Sequence, residues 1–97
     1  MKSLDTVLAE LRRLKPELAR RYPIRAMGVF GSYVRGEQRE DSDLDVLVEL
    51  GDGITLIDFA GLQLDLSDAL GIKVDLVEKE ALKPRIGQRV LAEVVYL

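Results

Sequence analysis

The chain contains no cysteine and no histidine. The first absence excludes a disulfide framework, a thiolate nucleophile and a zinc knuckle. The second excludes a Ser-His-Asp triad, an imidazole general base and any histidine-ligated metal. Long hydrophobic runs are missing too: no apolar stretch nears the roughly 18 residues that a membrane span needs. There is no internal repeat, low-complexity tract or Pro/Ser-rich linker. The start, Met1-Lys2-Ser3-Leu4-Asp5, runs straight into a charged amphipathic pattern and does not read as a signal peptide. The expectation is a cytoplasmic protein whose chemistry comes from carboxylates, hydroxyls, Lys, Arg or backbone groups. Any metal it uses should be a hard cation held by oxygen.

What is present fits one domain spanning residues 1–97, with 47% apolar residues to build one ordinary core. Charge is unevenly placed. Residues 1–39 hold 9 basic and 4 acidic side chains, whereas residues 40–97 hold 5 basic and 13 acidic. The net charge of −3 argues against direct binding to a nucleic-acid backbone. A local excess of carboxylates is what a divalent-cation site needs, although most of these side chains are expected only to solvate the surface.

Periodicity places the elements. Leu4, Val7, Leu8, Leu11, Leu14 and Leu18 recur at spacings of three and four, which predicts an amphipathic helix. Pro16 should kink or divide it, and Pro23 should end it. Residues 26–30 are a short apolar run closed by Gly31, read as a buried strand. Residues 31–42 read as a turn, at most one helical turn, then a loop. Residues 43–50 predict a second strand, followed by a Gly51-Asp52-Gly53 turn. Leu56, Phe59, Leu62, Leu66 and Leu70 predict a helix over 56–70 that Gly71 stops. A third strand is read at 72–77, with Asp75 facing away from Val74 and Leu76. Pro84 opens a last helix containing Ile86, Val90 and Leu91. Residues 94–97 fit either a helix end or a strand. The order α-β-β-α-β-α predicts an α+β fold, a small mixed sheet with helices packed on it.

Three features carry chemistry. Gly31-Ser32-x-x-Arg35-Gly36 follows a strand directly; such glycines let backbone approach an anion. It is no Walker A loop, because Glu37-Gln38 replaces the required Lys-Ser/Thr, and taken alone it reads as structural. Ser42-Asp43-Leu44-Asp45 opens a strand, so Asp43 and Asp45 point to the same face while Leu44, Val46 and Val48 enter the core. Two carboxylates so placed repel each other unless a cation lies beside them. An EF-hand is excluded, since the sixth position from Asp41 is Val46. Asp75 completes a three-carboxylate cluster if its strand lies beside 43–50. Two Mg²⁺ ions in such a cluster can clamp an in-line phosphoryl displacement. Ser32 fails as a nucleophile for want of a histidine base, and Tyr33 is expected to pack rather than stack on a base.

Taken jointly, Gly31-Ser32-x-x-Arg35-Gly36, Ser42-Asp43-x-Asp45 and Val74-Asp75-Leu76-Val77 resemble the minimal nucleotidyltransferases of the DNA polymerase β-like superfamily. The resemblance covers nearly the whole chain; Val34 departs from the Ala of many members. It implies that Asp43, Asp45 and Asp75 are catalytic and ligate two Mg²⁺ ions. It implies that Gly31 and Ser32 bind the β- and γ-phosphates of ATP, with Arg35 either touching phosphate or supporting the loop. It implies an antitoxin whose partner is a HEPN-class toxin, and transfer of AMP to a tyrosine of that toxin. Two alternatives stay open: an antitoxin that neutralises by binding alone, and a nucleotidyltransferase acting on a small molecule or RNA end.

Overall fold

In a computed structural model describing residues 1–97, helix α1 spans Leu4–Arg21. Ser3 caps it, its Oγ accepting the Thr6 N–H at 3.2 Å. The leucine stripe is real: Val7, Leu8, Leu11 and Leu18 are buried. Pro16 does not divide the helix. The apolar contacts of Leu11 before it and Leu18 after it hold both halves on the core, which outweighs one lost backbone hydrogen bond.

Four strands follow rather than three: β1 (Ile24–Phe30), β2 (Leu44–Leu50), β3 (Val74–Glu78) and β4 (Val95–Tyr96). They form one mixed sheet in the order β3-β2-β1-β4. β1 pairs antiparallel with β2 and with β4, while β2 and β3 run parallel. The ambiguous C-terminus is therefore a strand. Gly28 makes that possible, because a Cβ there would lie 2.7 Å from a Val94 methyl and 2.9 Å from the Val95 carbonyl oxygen.

The remaining helices are α2 (Ser32–Arg35), α3 (Leu56–Leu70) and α4 (Pro84–Glu93), with a 3₁₀ turn over Lys79–Ala81. Thr55 and Asp58 form a reciprocal capping box at the start of α3, and Gly71 ends it at φ 69°. Leu62, Leu66 and Leu70 are buried, whereas Leu56 is 88% exposed. At 100° per residue, Leu56 lies about 80° off the centre of that stripe. The sequence pattern also overstates α4, where Ile86 and Leu91 are exposed and Val90 is buried.

One core joins α1, α3 and one face of the sheet: Met27, Val29, Leu44, Val46, Val48, Val74 and Leu76. β3 is an edge strand, and α3 covers the edge. Ser67 Oγ accepts the Val74 N–H at 3.0 Å and Gln63 Oε1 accepts the Leu76 N–H at 2.9 Å. Those bonds bracket Asp75, fixing its register. No helix is long and apolar enough to cross a membrane.

Candidate active site

The site is built where β1 ends and β2 and β3 begin. After Phe30 the backbone turns at Gly31, with φ 80° and ψ −151°, a region open essentially to glycine alone. The chain enters the single turn of α2 and leaves it at Gly36, φ 70°. Tyr33 is 3% exposed and anchors this turn in the core, so it packs as expected. Ser32 opens α2 and is partly exposed. Further on, Ser42 Oγ accepts the Arg39 N–H at 2.8 Å and orders the loop before β2.

Leu44 N–H donates to the Lys73 carbonyl at 2.8 Å, so β2 starts alongside the approach to β3. From there the parallel register sets Asp45 directly opposite Asp75, and the antiparallel register sets Phe30 opposite Asp45. Alternation puts Leu44, Val46 and Val48 into the core and leaves the aspartates on the other face. Asp43 precedes the strand by one residue, and its Oδ2 lies 3.9 Å from the Lys73 ammonium. Asp75 is exposed and Asp45 half-buried.

Burial of a charge and like charges opposite one another on a sheet are both unfavourable, and Asp45 meets both. Burial pushes its carboxyl up to about 6; Asp75 and Asp43 push the same way, and Arg35 opposes them. The Asp45 carboxylate also lies over Gly31, where a Cβ would fall 2.0 Å from Oδ2. Gly31 thus needs to be glycine twice, for its φ and for this approach.

Although β3 lies beside β2, Asp43, Asp45 and Asp75 are not gathered into the three-carboxylate cluster that the sequence predicts: the parallel register aligns Asp45 with Asp75, while Asp43 precedes the strand and leans toward Lys73. The donor set still fits Mg²⁺. That ion takes hard oxygen, and it is usually held by one or two carboxylates with substrate phosphates supplying the rest. Asp45 is half-buried beside like charge, so a cation next to it would favour its ionised form.

No motif points to one further residue. Glu93, the last residue of α4, reaches across to the turn. Its Oε2 accepts the Gly31 N–H at 2.9 Å, and its Oε1 accepts from Arg35 Nη1 at 2.6 Å. Arg35 Nε also donates to Glu37 at 2.6 Å. Arg35 is thus held by two carboxylates of its own chain. The only sequence signal for Glu93 is an acidic side chain at a helix C-terminus, where the dipole favours a basic one.

The one apolar groove lies elsewhere. It has about 420 Å³ and is lined mainly by Ile54, Leu56, Phe59, Leu76 and Val77. It sits toward the carboxyl ends of β2 and β3, whereas the aspartates are at their amino ends.

This geometry has counterparts. The nucleotidyltransferase domain family matches residues 11–97. The chain belongs to that family. Among curated relatives, Protein adenylyltransferase MntA of Thermococcus cleftensis is 46% identical over 97 residues, covering 100% of this chain and 98% of the relative. A solved minimal-nucleotidyltransferase structure superposes with a TM-score of 0.83 at 44% identity, over 99% of this chain and 97% of the other. A toxin–antitoxin crystal structure with AMP-PNP gives a TM-score of 0.70 at 27% identity, over 95% of this chain and 69% of that one. As a nucleotidyltransferase domain, the chain has the mixed α+β sheet that the sequence predicts, extended by β4.

Proposed function

We propose that this nucleotidyltransferase is an antitoxin that transfers AMP from ATP to a tyrosine hydroxyl of a HEPN-class toxin. One observation carries the reading: the β2–β3 register places Asp45 opposite Asp75, with Asp43 two residues earlier, beside the Gly31 turn. The adenylyltransferase relative and the toxin–antitoxin structure with a nucleotide analogue support it.

Asp43, Asp45 and Asp75 are the residues to hold Mg²⁺. Bound there, the cation supplies positive charge to the triphosphate and favours the ionised acceptor. Gly31 N–H and Ser32 bind the outer phosphates, which leaves the α-phosphorus beside the aspartates. Asp75 is exposed, so the acceptor reaches it from outside the chain. The acceptor oxygen bonds to the α-phosphorus, the α–β bridging bond breaks, pyrophosphate leaves and the hydroxyl proton passes to solvent.

The test is to mix the chain, ATP, Mg²⁺ and the HEPN toxin, then weigh the toxin by mass spectrometry. One or more AMP additions are expected, lost when Asp43→Asn and Asp45→Asn are combined. Additions that persist in the double variant would contradict the metal assignment. An unmodified toxin that is nevertheless inhibited in a stable complex would favour neutralisation by binding alone.

A further inference from the structure

Glu93 occupies two anion-binding groups of the turn, the Gly31 N–H and the Arg35 guanidinium. Its carboxylate is bidentate in function, one oxygen on the Gly31 N–H and the other on Arg35. Gly31 is buried and has a single N–H, so a carboxylate and a phosphate oxygen cannot both take it. On the other side of the same glycine lies the Asp45 carboxylate. The turn is therefore bracketed by two negative groups in the nucleotide-free chain.

Nothing in α4 itself asks for an acid at this position. A carboxylate in the last turn opposes the helix dipole. The Glu93 backbone is held from the next residues onward by β4, where Val95 pairs with Val29 and Tyr96 with Gly28. Glu93 is thus delivered to the turn by a tertiary contact spanning 62 positions. Burial works against its charge, yet the Gly31 N–H and Arg35 outweigh it and hold the carboxyl below the usual range. Its side chain keeps 22% exposure, so it can swing to solvent without unpacking the core.

We infer that Glu93 is an internal stand-in for the nucleotide phosphate, a carboxylate that closes the anion subsite at Gly31 and Arg35 and must be displaced for ATP to bind. The inference rests on the nucleotide-site reading above. It makes Glu93 a determinant of nucleotide affinity. Phosphate binding and Glu93 binding become mutually exclusive states of one turn, and the free turn stays ordered because the stand-in satisfies it.

The test is calorimetric. Glu93→Gln keeps the shape and removes the charge. ATP with Mg²⁺, and inorganic tripolyphosphate alone, should each bind this variant about tenfold more tightly than wild type. That factor corresponds to one charge-assisted hydrogen bond of ~1.4 kcal/mol that no longer has to be given up. Adenosine, with no phosphate, should bind both chains equally. Unchanged or weaker ATP binding in the variant, with wild type binding normally, would overturn the inference and leave the nucleotide site standing. A wild type that binds neither ATP nor tripolyphosphate would remove the nucleotide site and the inference together. A second measurement needs no variant. The Glu93 carboxyl ¹³C resonance of the wild-type chain should move to that of a solvated carboxylate when tripolyphosphate saturates the site. A resonance that stays in place at saturation would also overturn the inference.

Discussion

At Gly31 three features meet in one residue: a φ of 80°, a carboxylate over its α-carbon, and an N–H that donates to the Glu93 carboxylate. Alanine violates the first two. Gly31→Ala is expected to cost about 1–3 kcal/mol from backbone strain, before the clash with Asp45 is counted. In a chain of this size that lowers the melting temperature by roughly 5–20 °C, and binding of ATP with Mg²⁺ should be lost. Calorimetric melting and titration read both effects.

Asp45 makes a separate prediction. Its carboxyl is raised from the ordinary 3.8 to about 6 by burial and by its acidic neighbours. A raised carboxyl pKa means that the folded chain binds the proton more tightly than the unfolded chain does. Asp45 therefore costs the metal-free fold nothing at low pH and progressively more as pH rises from about 4 through about 6, with no further change above. Asp45→Asn should match wild type near pH 4 and exceed it by roughly 1 kcal/mol at pH 7, a figure reduced to allow for solvent screening of a half-buried group. Melting curves across that range, without divalent cation, give the difference directly. A difference that shrinks as pH rises would mean that the Asp45 carboxyl is not raised in the fold.

At the scale of elements, α3 shows what periodicity can and cannot settle. Its ends are local events, a Thr55–Asp58 box and a left-handed Gly71, and the sequence displays both boundaries. Its buried face is a tertiary matter. Leu56 belongs to the apolar spacing but not to the core, and the two leucine types should separate in experiment. Leu66→Ala, at a fully buried position, is expected to cost about 2–5 kcal/mol. Leu56→Ser, at an exposed one, should stay within about 0.5 kcal/mol of wild type. Denaturant titration distinguishes them.

The same division runs through the site. Asp43 and Asp45 announce themselves by their spacing ahead of an apolar strand, and Gly31-Ser32 by following one. Asp75 acquires meaning from the sheet order, which sets it against Asp45. Glu93 is invisible to any local pattern. Its partners lie 62 and 58 positions away, and they meet it because Gly28 lets the two-residue β4 close on β1. A two-residue strand has no alternation to read, so its existence depends on the partner that pairs with it. Pro16 illustrates the opposite error: a strong local breaker is overridden by leucines packed on both sides of it.

Across the whole molecule, the two faces of the sheet divide the work. One is closed by α1 and α3 and supplies the core. The other carries Asp45 and Asp75 side by side at the amino ends of two parallel strands, within reach of the turn that follows β1. The cost of burying and crowding carboxylates on that face is the physical reason to expect a cation there, and Asp75 is exposed. In the proposed function, the α-phosphoryl group of ATP moves from this face to a hydroxyl of the toxin. The most direct measurement runs the reaction in parallel with ATP labelled at the α- or at the γ-phosphate, using Mg²⁺ and the HEPN toxin. Label is expected on the toxin from α-labelled ATP alone, with the γ label recovered in pyrophosphate. Label reaching the toxin from γ-labelled ATP, or from neither while the toxin is still silenced, would contradict the proposed function.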